Sequence, residues 1–162
     1  MAWLILCAPF SAHGEGATES ALKAAFLYYF VLYTQWPEVP DSYNLCLLGT
    51  SSFRSAMEPI ARKEIGGRPL RIEFLGSGEI PANCHLLYIA DSEHARLPEI
   101  IGRINGKPVL TVAESGSYAA GLVMLRISRD NGVLVFEANQ SAARAAGLHF
   151  SAKLLRLAHN VL

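Results

Sequence analysis

Charge of one sign is missing from this chain. Fourteen Lys and Arg residues balance fourteen Asp and Glu, a formal net charge of zero. A neutral chain exerts no broad pull on nucleic acid or anionic lipid, which excludes partners recruited by long-range charge. No like-charge run forms a basic arm or acidic tail. Nor is there an apolar run of about 20 residues, the length a membrane-spanning helix needs. The CxxC pair and the Cys/His spacing of a zinc site are absent, so no metal centre is expected. GxGxxG and GxxxxGK[ST] are absent too, so no cofactor is expected. We see no repeat, low-complexity segment or interdomain linker.

What is present is apolar. Hydrophobic residues make up 51% of the 162 and charged residues only 17%. That length suits one domain with a sizeable core. So few charges leave apolar surface outside the core for a partner. The run Ala2-Trp3-Leu4-Ile5-Leu6-Cys7-Ala8-Pro9-Phe10, followed by Ala12 and Gly14, reads as part of an export signal lacking its basic start. A frayed terminus is the alternative. Residues 1–16 are therefore set aside, and 17–162 is expected to form a single domain. If Cys7 leaves with the signal, Cys46 and Cys84 remain. An even pair after export suggests a disulfide; two buried free thiols are the alternative.

Thr18 or Ser20 can cap a first helix starting near residue 20, and Pro37 stops it. Leu22, Ala25, Phe26, Tyr29, Tyr33 and Trp36 recur at helical spacing, and Leu27, Tyr28 and Val31 make the opposite face apolar as well. Such a helix is sandwiched in a core or meets a partner. On the second reading Leu27, Tyr28 and Val31 are the partner-interface candidates. Strands are expected over 43–49, 68–75, 84–90 and 108–112, with helices over about 52–63 and 93–104 between them. That rhythm argues for an α/β fold: a mostly parallel sheet flanked by helices. Strands over 123–127 and 133–137, joined by Asp130-Asn131-Gly132, append a C-terminal antiparallel hairpin. Asn139 or Ser141 caps a short helix ending at Gly147, and Ser151 caps a final helix carrying Leu154, Leu155, Leu157, Ala158 and Val161.

Signals of chemistry are weak. Gly49-Thr50-Ser51-Ser52 follows a strand and opens a helix, but no lysine is placed to meet a phosphate, so a capped turn explains it. Asp91-Ser92-Glu93-His94 gathers polar groups at a strand end, where α/β folds place ligands. Helix capping accounts for Asp91 and Ser92; a hydrolase or transferase built on Asp91, Ser92 and His94 is the enzymatic alternative. Cys84 and His85 point to opposite faces of a strand and cannot cooperate. No nucleophile-base pair stands out, so no catalytic residue is assigned and the chain reads as a binding protein.

Taken in order, these pieces resemble the YfiR family, periplasmic repressors of membrane-bound diguanylate cyclases. The resemblance rests on Lys23-Ala24-Ala25-Phe26-Leu27-Tyr28, Trp36-Pro37, Leu45-Cys46-Leu47-Leu48-Gly49 and Cys84-His85-Leu86-Leu87-Tyr88-Ile89. It continues through Pro108-Val109-Leu110-Thr111-Val112, Phe136-Glu137-Ala138-Asn139, Gly147-Leu148 and Leu154-Leu155-Arg156-Leu157-Ala158. It implies a periplasmic α/β domain, often dimeric, that captures the periplasmic part of a cyclase and lowers cyclic-di-GMP. It also implies a disulfide at Cys46 and Cys84; the second pair of some members has no counterpart here. Some members bind small aromatic or nucleotide ligands, and the matching positions here are Gln35, Arg144, His149 and Ser151. The alternative function is a periplasmic sensor of such a ligand. Neither reading calls for nucleic acid, or for membrane insertion once the chain is exported.

Overall fold

The computed structural model describes residues 14–49, 54–76, 79–114 and 121–162. Most of the expected export segment and the Thr50-Ser51-Ser52 cap lie outside the described residues. The chain runs α1 (Gly14–Leu32), β1 (Thr34–Gln35), β2 (Tyr43–Leu48), α2 (Arg54–Ala61), β3 (Glu64–Ile65), β4 (Arg68–Leu75) and β5 (Leu86–Ile89). A 3-10 turn (Asp91–Arg96) leads into α3 (Leu97–Ile104), then β6 (Leu110–Glu114), β7 (Leu125–Asp130) and β8 (Val133–Ala138). The chain closes with α4 (Gln140–Ala145), β9 (His149–Phe150), α5 (Ala152–Leu157) and β10 (Asn160–Val161).

The main sheet is ordered β10-β8-β7-β6-β5-β2-β4-β3. Strands β4, β2, β5, β6 and β7 are mutually parallel, the doubly wound order in which the chain reverses direction beside its first long strand. The expected hairpin closes this core. β7 and β8 pair antiparallel from Leu125↔Ala138 to Asp130↔Val133. Asn131 at φ 47° and Gly132 at φ 80° form the turn between them. Both positive angles suit a type I′ turn, whose twist matches its strands. β1 and β9 form a separate antiparallel pair, Thr34↔Phe150 and Gln35↔His149.

Side-chain alternation sorts the core into two layers. Leu45 and Leu47 of β2, Leu86 and Tyr88 of β5, and Leu110 and Val112 of β6 face α1, α2, α4 and α5. Cys46, Leu48, Leu87, Ile89 and Ala113 face the other way, onto Leu97, Ile100 and Ile104 of α3. Being covered on both faces, β2 and β5 read as nearly continuous apolar runs. Asn139 caps α4 by accepting from the Ala142 N–H at 2.9 Å, and Ser151 caps α5 by accepting from Leu154 at 3.1 Å.

Three expectations are corrected. The first helix starts upstream, at Gly14, and ends at Leu32; Thr34 and Gln35 leave it to pair with β9, and Trp36 lies beyond. The final helix ends at Leu157, and Val161 lies on β10, parallel to β8. The helix expected from Glu93 begins only at Leu97, where Pro98 sits in its first turn and the preceding residues are 3-10. Among the described residues no helix is long and apolar enough to cross a membrane.

Candidate functional site

Doubly wound sheets bind ligands outside the carboxyl ends of their strands, where the chain reverses direction. Here that point lies between β2 and β5, and among the described residues the turn that follows β5 packs against it. Gly49 leaves β2 at φ +92°, and a Cβ built on it would stand 2.7 Å from both Ser92 Oγ and Glu93 Cγ. The Asp91-Ser92-Glu93-His94 turn is thus wedged against a backbone that only glycine allows. His94 Nδ1 lies 3.0 Å from the Asp91 carbonyl oxygen, and Glu93 pairs with Arg96 at 3.0 Å.

Farther along the same edge is a polar network with no counterpart in the sequence reading. Tyr88, 2% exposed, donates its hydroxyl to Glu114 at the end of β6. Burial, then the Glu114 and Asp91 charges, hold the Tyr88 hydroxyl far above its ordinary range, so it stays protonated and donates. Glu114 also accepts from Lys23 Nζ at 2.9 Å, and Lys23 reaches Glu19 at 2.8 Å. Glu19 in turn pairs with Arg129, and Arg126 bonds Glu137 across the hairpin at 2.6 Å. The network pins α1 to three strands. Its one advance signal is a tyrosine on an otherwise aliphatic strand.

The amino-terminal edge carries the disulfide. Cys46 and Cys84 are bridged with Cα atoms 5.9 Å apart, both buried against α3. They can meet because β5 lies directly beside β2. Next to them His85 accepts a hydrogen bond from the Asn44 N–H at 3.1 Å and packs edgewise on Trp36 and Tyr43. Burial pushes the His85 pKa below its usual value. Trp36 Nε1 donates to the Pro108 carbonyl at 3.0 Å.

Of the positions matching the family's ligand site, Gln35 and His149 stand opposite each other in the β1–β9 pair, both exposed. Arg144 is exposed in the last turn of α4, and the Ser151 hydroxyl is used as the α5 cap. The interface candidates fare differently. Leu27 (0% exposed) and Val31 (1%) lie in the chain's own core. They are therefore withdrawn as partner contacts. Tyr28 is half-buried beneath Lys63, whose Nζ stands 5.1 Å from its ring centre. The helix is sandwiched on that face, and its open apolar side chains are Leu22 and Tyr29 instead.

Tyr29 borders a cavity of about 430 Å³ between α1, β8 and α5. Its floor is an edge-to-face cluster: Phe136 meets Phe30 at 4.9 Å and Phe26 at 5.6 Å between ring centres. Tyr29 and Tyr33 stack nearly parallel along one wall.

These features define a doubly wound α/β domain with a bridged core and a turn packed tightly on Gly49 at its switch point. The chain belongs to the YfiR/HmsC-like family, whose sequence pattern matches residues 20–159. That is a family of periplasmic regulators of diguanylate cyclase signalling.

Proposed function

We propose that this protein is a periplasmic binding protein that represses a membrane-bound diguanylate cyclase by capturing the cyclase's periplasmic domain. Its membership of the YfiR/HmsC-like family carries the reading. Two features agree with it. The disulfide suits an oxidising compartment. The neutral chain exposes Leu22, Tyr29, Val133 and Leu157, means for recognition by apolar contact. Repression works by differential affinity. To take a cyclase from almost fully active to almost fully inactive, the repressor must bind the inactive form about 10⁴-fold more tightly, or ~5.5 kcal/mol. A few well-packed anchors, with Tyr29 the aromatic one among those exposed, supply that much.

Deleting the gene should raise cellular cyclic-di-GMP and surface attachment, and the rise should vanish in a strain that also lacks the partner cyclase. Unchanged cyclic-di-GMP in a cyclase-bearing strain would rule the repressor role out. A second reading, a periplasmic ligand sensor, draws on the aromatic cavity beside α1.

A further inference from the structure

We propose that the cavity between α1, β8 and α5 is a binding site for a small planar aromatic carboxylate. The proposal deepens the sensor reading and is independent of the cyclase. At about 430 Å³ the space falls within the range of small-molecule sites, roughly 300–1,000 Å³. Its lining includes the rings of Phe26, Phe136 and the parallel Tyr29–Tyr33 pair, beside the aliphatic Leu134, Val135, Leu154 and Leu157. A flat ring can stack or meet edges there in the arrangements aromatic pairs prefer.

The polar groups sit at the rim. Lys153, exposed in the first turn of α5, holds its Nζ 4.8 Å from the Tyr33 ring centre. Among the described residues Lys153 stands in no ion pair, so its charge is open to a ligand anion. His159, the other rim group, faces Asp130 at 3.8 Å. One cation at the mouth of an aromatic slot selects one carboxylate on an aromatic body. At the mouth, Tyr29 is 45% and Leu157 60% exposed, apolar surface that a bound ring would cover. None of Gln35, Arg144, His149 and Ser151 lines this cavity, which borders those positions where Ser151 bonds Tyr33 and Leu154 but does not include them.

The test uses the oxidised chain with 1-naphthylacetate, its neutral amide and decanoate, followed by calorimetry and amide chemical shifts. The acid should bind about tenfold more tightly than the amide, the size of one charge-assisted contact. Shifts should centre on Tyr33, Leu157 and His159. Lys153→Gln, at an exposed position, should keep the wild-type melting temperature, erase the acid's advantage and leave the amide unchanged. Absence of acid binding, an acid no tighter than its amide, or decanoate binding more tightly would overturn the proposal. Shifts centred on Gln35 and His149 would overturn this site while leaving the sensor reading standing.

Discussion

His85 shows how one side chain can couple the fold to pH. Its Nδ1 accepts from the Asn44 N–H, so that nitrogen carries no proton in the folded chain. Protonation would replace an acceptor with a second donor aimed at a donor, in a half-buried ring between Trp36 and Tyr43. Burial accordingly lowers the folded pKa. Above the unfolded value of about 6.5 both states are neutral and the stability is complete. Below it the unfolded chain takes up a proton that the folded chain refuses, so stability falls until the folded ring also titrates. The melting temperature should therefore drop between pH 7 and pH 5, and less in His85→Gln. Equal drops in both proteins would remove His85 as the cause.

Helix α1 is held by two kinds of contact. Its middle is apolar and buried through Ala24, Leu27, Phe30 and Val31, and its amino-terminal half is tied by Lys23 between Glu19 and Glu114. The Lys23 and Glu114 side chains are 15% and 21% exposed, so the pair is screened less than a surface bridge. Lys23→Met removes the cation and leaves Glu114 with the Tyr88 hydroxyl as its partner. Urea unfolding should show a loss of about 1–3 kcal/mol. Amide exchange should quicken in residues 16–23 before the middle of the helix. A change within about 0.5 kcal/mol, the range of an ordinary surface substitution, would mean that the tie carries no weight.

The same element marks how much could be read in advance. β4 was legible at its bounds, because Arg68–Leu75 alternates, and Asn131-Gly132 named its own turn. β1, β9 and β10 were not legible: two residues are too few for a period, and their partners are distant in sequence. β10 also hid behind the helical spacing of α5. The chain leaves that spacing where the His159 N–H bonds the Phe136 carbonyl and lays Asn160 and Val161 along β8. On α1 an apolar residue on either face looks the same in one dimension, so Leu27 and Val31 were open to a partner role until α2 and the sheet were seen covering them. The cavity drew on the same ambiguity. Phe26, Tyr29 and Tyr33 were visible as a helical stripe, but Phe136 and Lys153 meet them only through the sheet and α5.

At the scale of the whole molecule the strongest constraint is the bridge between Cys46 and Cys84. It joins β2 to the segment entering β5, the two strands on either side of the point where the chain reverses direction. Between the cysteines lie α2, β3 and β4, so the closed loop, with a sequence separation of 38, contains one flank of the sheet. For such a loop, chain entropy puts the stabilisation at roughly 4 kcal/mol. That is comparable to much of the 5–15 kcal/mol or so by which domains are stable. Replacing both residues by alanine leaves small voids against α3 but no unpaired polar group, so the loss is chiefly the bridge itself. At about 2–4 °C per kcal/mol for a chain this size, the double variant should melt roughly 8–16 °C lower. Wild-type protein held reduced should approach the variant, while reductant should leave the variant unmoved. In protein recovered from the periplasm, mass spectrometry should find the two thiols joined. Free thiols there, or a double variant that melts with the oxidised wild type, would break the link between this fold and an oxidising compartment.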